Sequence, residues 1–121
     1  MTQSFGVTET DYTTRLWMGS HPPVLMDGIL ADGQDLSDGT VLGKITASGL
    51  LTQLVPGASD GSEDAMGILV GDLAASGADE PCVYLAHGEV AKDQLVWPTG
   101  ITGPQKTEAV ADLMANNIYA K

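Results

Sequence analysis

The chain predicts a β-rich α+β domain, a small barrel or sandwich of short strands with one helix near its C-terminal end. Three observations carry that reading. Gly-containing turn pairs recur every eight to twelve residues or so between Met26 and Asp60, the punctuation of a small antiparallel barrel or sandwich rather than of strands alternating with helices. The segments between them are four to six residues long and rich in Val, Ile and Leu, which fit a packed pleated surface. A single helix signature stands near the end, at Thr102-Gly103-Pro104-Gln105.

Taken in order, residues 1 to 26 read as an extended arm and residues 27 to 121 as the β-rich domain. The arm is rich in Thr and Ser, has no sustained period of 2 or 3.6, and ends near Pro22-Pro23, which disfavours helix and favours an extended path. It also carries Phe5, Tyr12, Leu16, Trp17 and Met18. Groups of that size need a partner surface, either this protein's own core or another molecule.

Between Met26 and Asp60, Asp27-Gly28, Asp32-Gly33, Asp38-Gly39 and Ser48-Gly49 predict tight turns, because Gly accepts positive φ and Asp bonds its own backbone. They delimit strands at Gly28 to Ala31, Thr40 to Ile45 and Leu50 to Val55, the last two forming the clearest hairpin. An acidic turn, Asp60 to Asp64, precedes the strand Ala65 to Val70, and a second acidic break, Gly77 to Pro81, precedes the strand Cys82 to Ala86. Pro81 lacks an N–H and belongs at the strand's entrance or on an edge. His87-Gly88 reads as a turn, followed by Glu89-Val90 and by Gln94 to Trp97, where alternation stops at Pro98.

The helix begins with a capping box. The Thr102 hydroxyl is placed to accept from the Gln105 N–H, the Gln105 side chain to reach back, and Pro104 falls where its missing N–H costs nothing. Val110, Leu113, Met114 and Ile118 predict one apolar stripe, Asn116-Asn117 a stop, and Ile118 to Ala120 a short final strand.

Composition narrows the function. Asp and Glu number 16 against 5 Lys and Arg, a formal net charge of -11 that repels phosphate backbones and anionic lipid. Direct nucleic-acid binding and membrane association are not expected, and no run approaches the ~18–20 apolar residues of a membrane helix. The N-terminal Met-Thr-Gln-Ser-Phe-Gly has no secretory pattern, so synthesis in a cytoplasm is expected. Charged residues make up 17% of the chain, below the roughly 25% usual in soluble domains, as if part of the surface were covered.

No cofactor, metal site or catalytic residue is expected. The single cysteine, Cys82, excludes an internal disulfide and reads as a small apolar core residue. The histidines are His21 and His87; a Cys82–His87 pair, five residues apart with a strand between, would require the chain to double back at once. Neither a nucleophile elbow nor a phosphate-binding glycine loop is present. Asp32, Asp35 and Asp38 raise calcium, but a calcium loop places ligands at every second position and closes with a bidentate Glu, whereas the interval here is three and no such Glu follows. They read as solvated turns, as do Glu63 and Asp64.

The succession of an acidic Gly turn, Ala65-Met66-Gly67-Ile68-Leu69, a strand with Tyr84, His87-Gly88-Glu89-Val90, Lys92-Asp93-Gln94-Leu95-Val96-Trp97-Pro98 and then a short helix resembles the head decoration protein of lambda-like tailed phages. The similarity runs from about Asp60 to Ile118 and is most specific at Leu95 to Pro98. It implies a β-clip fold, a bent two-stranded ribbon closing an incomplete barrel, and a structural virion protein, not an enzyme. On that resemblance the protein is a homotrimer on the outer surface of an expanded capsid, at three-fold and quasi-three-fold points, bound to the major capsid protein and holding the shell against internal DNA pressure. The same resemblance implies an arm that is mobile in the free protein and ordered on the shell, with Thr13, Thr14, Arg15, Leu16 and Trp17 as capsid-binding residues and Leu95, Trp97 and Pro98 as a core or trimer corner. The alternatives are a carbohydrate-binding or adhesive virion module, motivated by the two tryptophans, and a small calcium-binding domain.

Overall fold

The computed structural model describes residues 23–121. Eight strands occur in the order β1 Val24–Leu30, β2 Asp35–Leu36, β3 Val41–Lys44, β4 Leu51–Gln53, β5 Gly67–Val70, β6 Leu73–Ala74, β7 Glu80–Val90 and β8 Ile118–Ala120. Among the described residues one α-helix, α1, spans Gly103–Ala115. The molecule is β-rich, with a barrel-like sheet and this one C-terminal helix.

The main sheet runs β1-β4-β3-β5-β7-β8, and a further β1–β7 pairing turns its first five strands into a ring. That closure is uneven. The β1–β7 side is paired along all of β1, from Val24↔His87 to Leu30↔Glu80, whereas β1 meets β4 only at Leu30↔Leu51. The ring is therefore tight at one end and open at the other. Most pairs are antiparallel, but β1–β4 and β7–β8 are parallel, a departure from the all-antiparallel expectation. A separate ribbon, β2–β6, pairs Asp35↔Ala74 and Leu36↔Leu73.

Strand alternation sorts the apolar residues into two clusters on opposite faces of the sheet. Leu30, Leu51, Leu42, Leu69 and Cys82 come one from each ring strand and fill the barrel interior with Leu36 and Ala75. The alternate residues Val41, Ile68 and Leu85 point outward, where Val90, Leu95, Ala109, Leu113 and Ile118 cover them. Strand β7 serves both clusters.

Several expectations are corrected. Asp27-Gly28 is not a turn: it lies within β1, paired with Val83 and Cys82. His87-Gly88 is not a turn either, because β7 runs through it without a break for 11 residues; the register against β1 shifts between Leu85 and His87, and Gly88, at φ 146°, pairs with Ile118. Gln94 to Pro98 is not a strand but a 3-10 turn at Lys92–Gln94 followed by one parallel bridge, Val96↔Thr40. Along α1, Leu113 is buried and Val110 half-buried, but Met114 is 56% exposed, and Ala109 takes the core position instead.

The remaining elements fall where their residues predict. The β3–β4 hairpin pairs Leu42↔Gln53 through Lys44↔Leu51. Thr102 and Gln105 form both arms of the capping box, at 3.2 and 3.0 Å, and Asn117 leaves the helix with φ 65°. Pro81 sits at the entrance of β7.

Candidate assembly surfaces

Leu95, Trp97 and Pro98 form a corner clamped to the core. After β7 the chain turns at Lys92–Gln94, and the Lys92 N–H donates to the Lys121 carbonyl at 2.9 Å. Leu95 drops into the outer cluster, 7% exposed. Val96 is stitched to the strand before β3: its N–H donates to Gly39 O at 2.9 Å, and Val41 N–H donates to its carbonyl at 3.1 Å. Trp97 lies half-buried against the same cluster. Its indole N–H donates to Lys92 O at 3.1 Å, and Lys106 Nζ stands 5.0 Å from its ring centre. Pro98 is half-buried and accepts from the Ile101 N–H at 3.2 Å. The structure thus brings these three residues together. Thr13, Thr14, Arg15, Leu16 and Trp17 lie outside the described residues, as does His21.

The acidic turns do structural work as backbone acceptors. Asp32 N–H donates to Asp79 Oδ1 while Gly77 N–H donates to Asp32 Oδ1, both at 2.8 Å. Asp38 repeats the arrangement: its N–H donates to Asp72 Oδ1 at 2.8 Å and its own Oδ1 accepts from Gly71 N–H at 2.7 Å. These two reciprocal latches flank the β2–β6 ribbon. Glu63 Oε1 similarly accepts from Gly61 N–H at 2.8 Å. Among the described residues no group of three or more His, Cys, Asp or Glu is arranged to hold a metal ion. Cys82 and His87 lie on one strand five residues apart, about 16 Å at the strand rise, so they do not meet.

Among the described residues three groups are perturbed. Burial pushes the Cys82 thiol up, as befits a packing residue. Asp60 is held below its usual range by the Ser62 hydroxyl and N–H, at 2.5 and 3.0 Å. Asp112 is raised by partial desolvation first, then by the charges of Asp64 and Glu108.

Two features escaped the sequence reading. The Tyr84 ring is wedged between two backbones: a Cβ on Gly28 would meet it at 3.0 Å and Leu51 at 2.7 Å, and a Cβ on Gly67 would meet it at 2.8 Å. The signal available was a glycine inside each apolar strand, which marks a close approach. The other is a cleft of about 340 Å³ lined by Lys92, Gly103, Lys106, Thr107 and Val110. It gathers two of the five basic residues of a chain whose net charge is -11. The shortage of cations was legible, but their meeting depends on the turn after β7.

Among the described residues no helix is long and apolar enough to cross a membrane. A comparison with curated proteins finds no match. The family model for bacteriophage lambda head decoration protein D matches residues 12–118, nearly the whole chain. That span covers the ring, both latches, the Leu95 to Pro98 corner and α1, and the chain accordingly belongs to the bacteriophage lambda head decoration protein D family, structural proteins that decorate the phage capsid.

Proposed function

We propose that this protein binds the outside of an expanded phage capsid as a homotrimer at three-fold and quasi-three-fold positions, contacts the major capsid protein, and stabilises the shell against internal DNA pressure. The observation that carries the reading is the family match over residues 12–118, which takes in the second half of the arm as well as the domain. In this reading the fold is a β-clip, and the protein is made in the host cytoplasm before joining the virion. The net charge of -11 suits a part held outside the shell, away from packaged DNA.

In this reading residues 1 to 26 are the capsid-binding arm, whose last residues, Val24 to Met26, open β1 and tie it to the domain. An extended segment around Thr13 to Trp17 lies beside a strand edge of the capsid protein, with backbone hydrogen bonds giving affinity and Leu16 or Trp17 the apolar anchor. Ordering some ten residues costs about 10–20 kcal/mol of backbone entropy, so a deeply buried aromatic is needed alongside the hydrogen bonds. Deleting residues 2–19 is expected to leave a folded domain with a nearly unchanged melting temperature while capsid binding falls by orders of magnitude. A truncated protein that decorated expanded shells as tightly as the full chain would end this mechanism.

The carbohydrate and calcium alternatives find less support. Trp97 has its indole N–H bonded within the protomer and a lysine over its ring, and the carboxylates of Asp32 and Asp38 already accept backbone N–H groups.

A further inference from the structure

The outward face of the β1-β7-β5 sheet is only half covered. In register, Leu25, Leu85 and Ile68 make one row across the three strands, and all three pack into the outer cluster beneath α1. The next row, two residues along, is Asp27, Val83 and Val70, and the one after begins with Ile29 and Pro81. These residues share the outward parity, because Gly28, Leu30 and Cys82 between them face the barrel interior. Val70 still packs against the outer cluster, whereas Val83 and Ile29 belong to neither cluster. With Gly28, Cys82, Asp72 and Leu73 the two rows line an open groove of about 540 Å³, and Ile29 is 42% exposed. An apolar sheet face thus continues past the edge of its cover, with a carboxylate on each side.

A second surface of opposite character lies beyond the other end of β7. On α1, Gly103, Lys106, Thr107, Val110 and Met114 form one stripe at helical spacing. It offers two apolar side chains, Val110 and the 56% exposed Met114, and its cleft adds Lys92 to Lys106.

We propose that these two unlike surfaces meet between copies: the α1 stripe and lysine cleft of one protomer cover the Asp27–Val83–Val70 face of the next. The occupant of the groove is a second copy of this chain. Charge complementarity supports this choice, since the groove is rimmed by Asp27 and Asp72, and Lys92 and Lys106 are two of only five basic residues in the chain. Shape supports it too, because a helix already covers the adjoining rows of the same sheet face, and a helix from a neighbour extends that layer. Contact between two different patches is heterologous, which excludes a two-fold dimer and gives a ring when its rotation closes, as the trimer reading requires. This assignment rests on the trimer reading above and supplies its contact.

The test reverses each side of the contact and then both. Asp27→Lys/Asp72→Lys and Lys92→Glu/Lys106→Glu should each need at least about ten-fold more protein to trimerise by sedimentation velocity. The fourfold variant, with both sides reversed, should regain the wild-type mass. Asp72 also accepts the Asp38 N–H, so its replacement can weaken the fold; Val83→Glu, at the centre of the groove and outside both core clusters, supplies an independent break. Trimers of Val83→Glu and of the lysine-reversed protein at wild-type concentrations would overturn the contact while leaving the trimer reading intact, as would a fourfold variant that folds but stays monomeric. A wild-type protein that is monomeric both in solution and on the shell would overturn the trimer reading, and this contact with it.

Discussion

The barrel interior and the layer beneath α1 are both apolar and share β7, yet they are packed on different principles. Inside the ring, five strands converge on a space so small that Tyr84 fits only because Gly28 and Gly67 have no side chains. Under the helix, Leu113, Ile118, Leu85 and Val90 fill the space with large side chains, each at most 1% exposed. The interior leucines Leu30, Leu42, Leu51 and Leu69 are as deeply buried as the helix layer, so what sets the ring apart is that it also has no room for an added atom beside Tyr84. The difference follows from curvature, since the inside of a closed sheet narrows while an outer layer can be set by where a helix docks.

Truncation carries the largest expected effect. Leu113→Ala removes a fully buried side chain from the helix layer and is expected to cost about 2–5 kcal/mol in denaturant unfolding, with no compensating collapse if the layer is as close-packed as its burial indicates. A cost below about 1 kcal/mol would show that α1 can settle into the gap. Gly67→Ala makes the converse test. The added methyl meets Tyr84 and the Leu85 carbonyl, at 2.8 and 3.0 Å, and overpacking of this kind costs about 1–3 kcal/mol. Tyr84→Leu should partly rescue it; failure to do so would move the strain to the Leu85 backbone.

A smaller effect tests the docking of the helix itself. Thr102→Ala removes the N-cap hydroxyl that accepts from Gln105 N–H, for an expected loss of about 0.5–2 kcal/mol read by thermal unfolding. The smallest concerns charge. Asp112 has a folded pKa raised above its ordinary 3.8, so its ionised form opposes folding at neutral pH and that penalty is relieved as pH falls through the raised value. Asp60 has the opposite sign: its folded pKa lies below 3.8, so its support is complete above 3.8 and is lost as pH falls through the lowered value. Asp112→Asn should therefore stabilise slightly at pH 7, within about 0.5 kcal/mol, and lose that gain as pH falls through the raised value. Asp60→Asn should instead lose stability at pH 7. Equal responses in the two variants would remove the local origin assigned to these shifts.

What the sequence disclosed divides along the same line. The β3–β4 hairpin, the capping box and the Asn117 stop depend on neighbours a few residues apart, and their side chains declare them. Asp27-Gly28 and His87-Gly88 carry the same turn chemistry, but their conformation is decided by each other's strands, since Val24 pairs with His87 and Gly28 with Cys82. Long-range pairing overrode local preference there. Met114 reads as core by spacing alone, while the sheet accepts Ala109 in its place because a small residue lets α1 approach closely. The candidate surfaces were legible in part: the Leu95 to Pro98 corner stood out as a motif, whereas the meeting of Lys92 with Lys106 required the turn between β7 and α1.

The β1–β7 closure also sets an order in time. Its partners, Val24 to Leu30 and Glu80 to His87, are separated by the strands that complete the ring, so a chain emerging from the ribosome cannot close the barrel until β7 is almost wholly outside. Until then β1 has no long partner, because its contact with β4 is a single pair. Distant pairings of this kind place folding in the millisecond-to-second range rather than the microseconds of helical bundles. Stopped-flow refolding of residues 23–121 should accordingly show tryptophan burial at Trp97 rising together with the closure signal in one slow phase, and an early submillisecond phase carrying most of the amplitude would mean that the Leu95 to Pro98 corner forms before the ring.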